Sequence, residues 1–139
     1  MIQAAVVTIS DSVHAGNRAD VSGPAVRQRL EQLGWSVPVT EVIADDGALI
    51  ERRLSELADS RQVAAIFTTG GTGVAPRDVT PEATRAVLHK EIPGFGELMR
   101  ARGVLRGPRI SGDRARCGVE RTRRPRPHGI PRSGGRAGP

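Results

Sequence analysis

The residues best suited to chemistry in this chain are Thr68-Thr69-Gly70-Gly71-Thr72-Gly73, followed closely by Asp78-Val79-Thr80-Pro81-Glu82. The run stands behind a short apolar stretch, Val63-Ala64-Ala65-Ile66-Phe67, and ahead of a helix start. Glycines let successive backbone N–H groups point inward at an anion, and a helix N-terminus adds partial positive charge. Glycine at 70, 71 and 73 exceeds what a simple turn needs. Asp78 at the rim of such a cradle would repel a phosphate unless a cation bridged them. The chemistry indicated is therefore phosphate binding with a divalent ion, Mg2+.

The elements that must position this loop follow from the apolar pattern. Residues 3–10 are short, apolar and rich in β-branched side chains, which reads as a strand buried on both faces. A polar loop is expected over 11–22, then a helix over 23–33 with Ser22 as cap, Pro24 in its first turn and Gly34 at its end. A second strand is expected over 36–43, where Pro38 implies an edge position or an irregular start. Asp45 and Asp46 introduce a helix to about residue 60, with Ile50, Leu54, Leu57 and Ala58 as its core stripe. The third strand is placed at 62–68, and a third helix at 81–88 with Thr80 as cap. A turn over 92–96 and a short helix over 97–102 follow.

Alternating strands and helices predict an α/β fold of three layers, a mostly parallel sheet with helices on both faces. Ligands in such sheets bind at the carboxyl ends of the strands. Three acid-bearing segments follow the three strands: Ser10-Asp11-Ser12, Ala44-Asp45-Asp46, and the glycine loop with Asp78. All three should open on one margin.

At 139 residues the chain has the length of one domain with a sizeable core. A single cysteine, Cys117, excludes an internal disulfide and suits a reducing compartment. The N-terminus lacks a basic n-region, and no apolar run is long enough to span a bilayer, so a cytoplasmic protein without membrane contact is expected. The net charge of +6 is unevenly spread. Residues 1–100 carry ten Lys/Arg against thirteen Asp/Glu, whereas residues 101–139 carry eleven Arg against two acids.

The motifs, in order, resemble the MoaB/Mog family, the molybdopterin-binding domain shared by molybdopterin adenylyltransferases and gephyrin-type proteins. The resemblance is carried by Thr8-Ile9-Ser10-Asp11, Gly16, Asp20, Ser22-Gly23-Pro24, Ile43-Ala44-Asp45-Asp46, Thr68 to Gly73, Arg77 to Ala83 and Glu91 to Glu97. It implies Mg-ATP-dependent transfer of AMP onto the terminal phosphate of molybdopterin, releasing pyrophosphate, in molybdenum cofactor biosynthesis. It implies that Asp45 and Asp78 are catalytic and hold the metal. The substrate contacts it implies are Thr69, Gly70, Gly71, Thr72 and Gly73, and Ser10, Asp11 and Thr80, at the same strand ends, are further candidate contacts. A homo-trimer and a downstream molybdate-inserting partner are implied as well.

Other readings of single residues stay open at this point. Asp11 serves equally as a turn acid, Asp45 as a helix cap beside Asp46, and Arg77 as a solvated cation or a phosphate partner. His14 is expected to be an exposed loop residue, and Asp20 and Ser22 to start a helix. A non-catalytic binding or scaffolding module is the alternative function.

The resemblance stops near Gly103, which divides the chain into a domain over 1–103 and an Arg/Gly/Pro-rich tail over 104–139. The tail lacks aromatic residues and long apolar runs, so it cannot fold alone. The family's last strand and closing elements are missing from it. Its composition fits a shifted reading frame of the family's own C-terminal third: the codons of Gly129-Ile130-Pro131-Arg132 permit Phe-Pro-Gly one base later. Its arginines could bind nucleic acid by counterion release, but no stacking aromatics accompany them, and no nucleic-acid partner is expected.

Overall fold

The computed structural model describes residues 1–104 together with the pair 118–119. The first strand, β1 (Gln3–Ile9), is the centre of the molecule. Its alternating side chains enter two separate cores, as a strand's period of two requires. Ala5, Val7 and Ile9 join Ile43, Ile50, Leu54, Leu57 and Ala83 on one face. Ala4 and Val6 join Leu30 and Val37 on the other, where Trp35 and Phe67 meet edge to face at 5.8 Å.

Strand β2 (Ser36–Ile43) and strand β3 (Ala65–Gly70) pair in parallel on either side of β1, giving the order β2-β1-β3. Parallel neighbours need crossovers, and helices supply them. Between them, α1 (Asp11–His14), α2 (Ser22–Gln32), α3 (Gly47–Asp59) and α4 (Thr80–Val87) complete the α/β fold. Leu30 of α2 lies under one face of the sheet, while Ile50, Leu54 and Leu57 of α3 and Ala83 of α4 lie under the other. This is the expected three-layer, parallel arrangement. Register then fixes the site: Ile9 stands opposite both Ile43 and Gly70, so the three strands end level.

Pro38 has both consequences foreseen for it. Among the described residues it lies in an edge strand, and the pairing skips from Gln3↔Ser36 to Ala5↔Val39, which leaves an extra residue on the β2 side.

Several local expectations are corrected. Residues 11–14 form the single turn α1 rather than loop, because the Ser10 hydroxyl accepts the Val13 N–H at 3.4 Å and caps it. Ser22 does not cap α2; the cap position is Val21, and Asp20 does the work instead by accepting the Gly23 N–H at 3.0 Å. β3 begins and ends later than 62–68, so Gly70 belongs to the strand. Thr80 does not cap α4, whose cap position is Val79 with no side-chain bond. The turn and short helix expected over 92–102 are one helix, α5 (Pro93–Val104), with proline at its first position, where the missing N–H costs nothing.

A short antiparallel pair, β4 (Lys90–Glu91) with β5 (Gly118–Val119), completes the assignment. Among the described residues no strand covers the outer edge of β3. Apart from Val104 and the β5 pair, the tail read above as out of frame lies outside the described residues, as does Cys117.

Candidate active site

The loops after β1, β2 and β3 meet at one margin, and the contacts between them are specific. Gly70 and Gly71 have φ of +84° and +58°. A side chain at Gly70 would collide with the Ile9 carbonyl, and one at Gly71 with the Thr80 side chain. The Gly71 N–H donates to the Ile9 carbonyl at 2.8 Å. These two glycines therefore let the chain cross closely over the end of β1 and lie against the start of α4.

The amides left open come just after this crossing. Thr72, Gly73 and Val74 donate to no acceptor among the described residues. Asp78 closes the turn behind them: its carboxylate accepts the Ala75 N–H at 2.6 Å, and its own N–H donates to the Ala75 carbonyl at 2.9 Å. Gly73 sits so near the Asp78 carboxylate that no β-carbon would fit between them.

Thr80 is buried at the first position of α4, and its hydroxyl donates to Asp45 Oδ1 at 2.8 Å. This explains why it does not cap the helix. The opening N–H groups of α4 are consequently left without a side-chain partner and keep their partial positive charge beside the glycine turn. Gly47, at the start of α3, lies against Val79, so the Asp45 and Asp78 segments are direct neighbours.

Asp11 links the first loop to the other two. Its Oδ1 accepts the Asp45 N–H at 2.9 Å, and its Oδ2 pairs with the Arg77 guanidinium. Ser10 is engaged locally, with the Val13 N–H and the Ser12 hydroxyl. Thr69 lies in β3 opposite Thr8. Asp46 caps α3 by accepting the Leu49 N–H at 2.8 Å, which separates its role from that of Asp45. His14 is exposed as expected, although it ends α1 rather than lying in a loop, and Asp20 is a helix-start residue as expected.

Asp20 also accepts the hydroxyl of buried Thr8 at 2.7 Å, tying the loop before α2 to β1. Partial burial works against its charge. Bonds from the Gly23 N–H, Thr8 and Ser22 outweigh that and hold its carboxyl below the usual range.

Among the described residues no three His, Cys, Asp or Glu side chains gather as a metal cage. Asp45 and Asp78 each have one carboxylate oxygen engaged and one without a partner among the described residues. That fits an ion held by one or two carboxylates and completed by substrate phosphate and water, the usual manner for Mg2+.

Two contacts at the margin have almost no signature in the sequence, the Thr8–Asp20 bond and the Asp11–Arg77 pair. A threonine facing a helix layer was the only hint of the first. The second joins residues 66 apart in sequence, with no local signal.

Level parallel strands with an open amide turn, an uncapped helix start and aspartates at one edge define an α/β domain with its candidate ligand site at the strand ends. The chain belongs to the family described as the probable molybdopterin binding domain, whose profile matches residues 5–128. It is 39% identical over 121 residues to the molybdopterin adenylyltransferase of Helicobacter pylori strain J99, covering 85% of this chain and 68% of that protein. With the molybdopterin adenylyltransferase of Escherichia coli K12 it shares 45% identity over 98 residues, 68% of this chain and 50% of the relative. The chain thus spans about two thirds of the first relative and half of the second. The crystal structure of the molybdopterin biosynthesis enzyme MoaB from Thermus thermophilus superposes with a TM-score of 0.76 at 38% identity, covering 86% of this chain and 76% of that one. Among the described residues no helix is long and apolar enough to cross a membrane.

Proposed function

We propose that this chain acts in molybdenum cofactor biosynthesis by transferring AMP from ATP to the terminal phosphate of molybdopterin. A phosphate oxygen of the pterin attacks the α-phosphorus, a new P–O bond forms, the α–β anhydride bond breaks, and pyrophosphate leaves. The nucleophile is already ionised at neutral pH, so no histidine base is needed.

The observation that carries the reading is the Thr80–Asp45 bond. It turns the threonine away from its helix, leaves the start of α4 open beside the free amides of Thr72, Gly73 and Val74, and orients Asp45 there. Fixed amide dipoles stabilise developing phosphoryl charge without reorganisation. Mg2+, when bound by Asp45 and Asp78, would neutralise phosphate charge and align the two substrates. Ser10 sits at the same margin as Thr69 to Gly73, consistent with one shared binding edge, and Asp11 bears on that edge through the Asp45 N–H and Arg77. The trimer and the molybdate-inserting partner belong to this proposal and rest on the family resemblance; the cytoplasmic setting belongs to it too and rests on the composition of the chain.

Single-turnover mixing of the protein with Mg-ATP and molybdopterin tests it. Adenylylated pterin and pyrophosphate should form in equal amounts. Asp78→Asn, which retains the oxygen that meets the Ala75 N–H, should slow the step by about 100-fold or more. Full turnover in that variant would remove the metal assignment. Binding of both substrates with no product would leave a binding module instead.

A further inference from the structure

We propose that Arg77 is a phosphate-binding residue that Asp11 holds in reserve, and that it transfers from this carboxylate to the polyphosphate when nucleotide enters the cradle. The inference rests on the adenylyl-transfer reading of the site and adds a residue to it.

The charge at the margin demands such a group. The residues next to the strand ends, 10–12, 44–46 and 71–79, carry Asp11, Asp45, Asp46 and Asp78 and one basic side chain, Arg77, while Arg18 lies farther along the connection from β1 to α2. A polyphosphate meets a net negative edge there. One divalent ion offsets two charges of either partner, and Arg77 is the fixed cation that stands among these residues.

The position of Arg77 suits the task. It belongs to the same loop as the open amides of Thr72 to Val74, next to Asp78, yet its guanidinium reaches Asp11 beyond the end of β1. It therefore lies across the margin between two of the three loops. Its side chain is 72% exposed and that of Asp11 43%, so the pair can open without disturbing the core. An exposed ion pair of this kind contributes little. A guanidinium fork on a phosphate gains two parallel charge-assisted bonds. Exchange of Asp11 for phosphate is thus favoured once the ligand is present.

Asp11 has a second task that does not change in the exchange. Its other oxygen holds the Asp45 N–H, so losing Arg77 leaves Asp45 in place. Asparagine at position 11 would keep that acceptor and set an uncharged NH2 donor where Oδ2 meets Arg77, which releases the guanidinium. This separates the two tasks experimentally.

The test is titration calorimetry of the full chain with inorganic tripolyphosphate and Mg2+, on wild type, Asp11→Asn, Arg77→Ala, Arg77→Lys and the double variant. Arg77→Ala should weaken binding about tenfold, and Arg77→Lys by less, since charge survives without the fork. Asp11→Asn should bind at least as tightly as wild type, by removing the competitor. The double variant should match Arg77→Ala. Circular dichroism melts check that each variant is folded, and Arg77→Lys keeps the test alive if the alanine variant is not. Equal weakening by Asp11→Asn and Arg77→Ala would show a mere loop tie and overturn the proposal, as would unchanged affinity in Arg77→Ala. No binding by folded wild type would instead overturn the phosphate cradle itself.

Discussion

Replacing Gly71 by alanine adds one methyl group at the most crowded point of the margin, and its cost can be worked out. The residue has φ of +58°, a conformation that costs an L-residue about 1–2 kcal/mol. The new methyl also meets the Thr80 hydroxyl, Cβ and Cγ2 inside contact distance. Thr80 cannot retreat freely, because it is buried, helical and bonded to Asp45. Forced repacking of that kind adds about 1–3 kcal/mol. The total is about 2–5 kcal/mol, a large share of the roughly 5–15 kcal/mol that holds a domain folded. Gly16 provides the control: its φ is +76°, but a β-carbon there would meet nothing within 4 Å. Gly16→Ala should therefore cost only the backbone share, about 1–2 kcal/mol. Urea denaturation of the two variants beside wild type measures the difference. Equal losses would refute the argument that Gly71 exists to let the loop lie against Thr80.

Two further predictions follow from the same contacts. The carboxyl of Asp20 is held below its usual value, so its contribution is present above the unfolded pKa of about 3.9 and is lost as pH falls through the lower folded value. The stability gap between wild type and Asp20→Asn, read from urea midpoints, should be open at neutral pH and should close below about pH 4; a gap constant from pH 6 to 3 would contradict it. Thr80→Val keeps the shape of the buried side chain and removes the donor to Asp45, which should cost about 1–3 kcal/mol in the same assay. No loss would mean the bond does not hold the two loops together.

The outline of the fold was legible because it depends on short-range patterns. Buried strands announce themselves as brief β-branched runs, and helix stripes as spaced leucines, so residues 3–10, 36–43 and the stripe from Ile50 to Ala58 were placed nearly as observed. Pro38 could be read for its edge position because a missing N–H has the same consequence in any sheet. Thr80 misleads for the opposite reason. Threonine before Pro-Glu looks like a cap locally, yet its hydroxyl serves an acceptor 35 residues away, which no local rule can weigh. The glycine loop shows both effects. Its presence was plain, but Gly70 is strand and Gly71 spends its N–H on Ile9, so the open amides fall at Thr72 to Val74. The pairing of Asp11 with Arg77 likewise exists only once three strands end level.

The convergence of three loops on one phosphate is tested most directly by amide chemical shifts of isotopically labelled protein titrated with Mg-ATP. The account predicts that the largest changes fall together at residues 10–11, 45 and 69–80, with those of Thr72, Gly73 and Val74 foremost. Changes confined to one of these segments, or centred elsewhere on the chain, would contradict it.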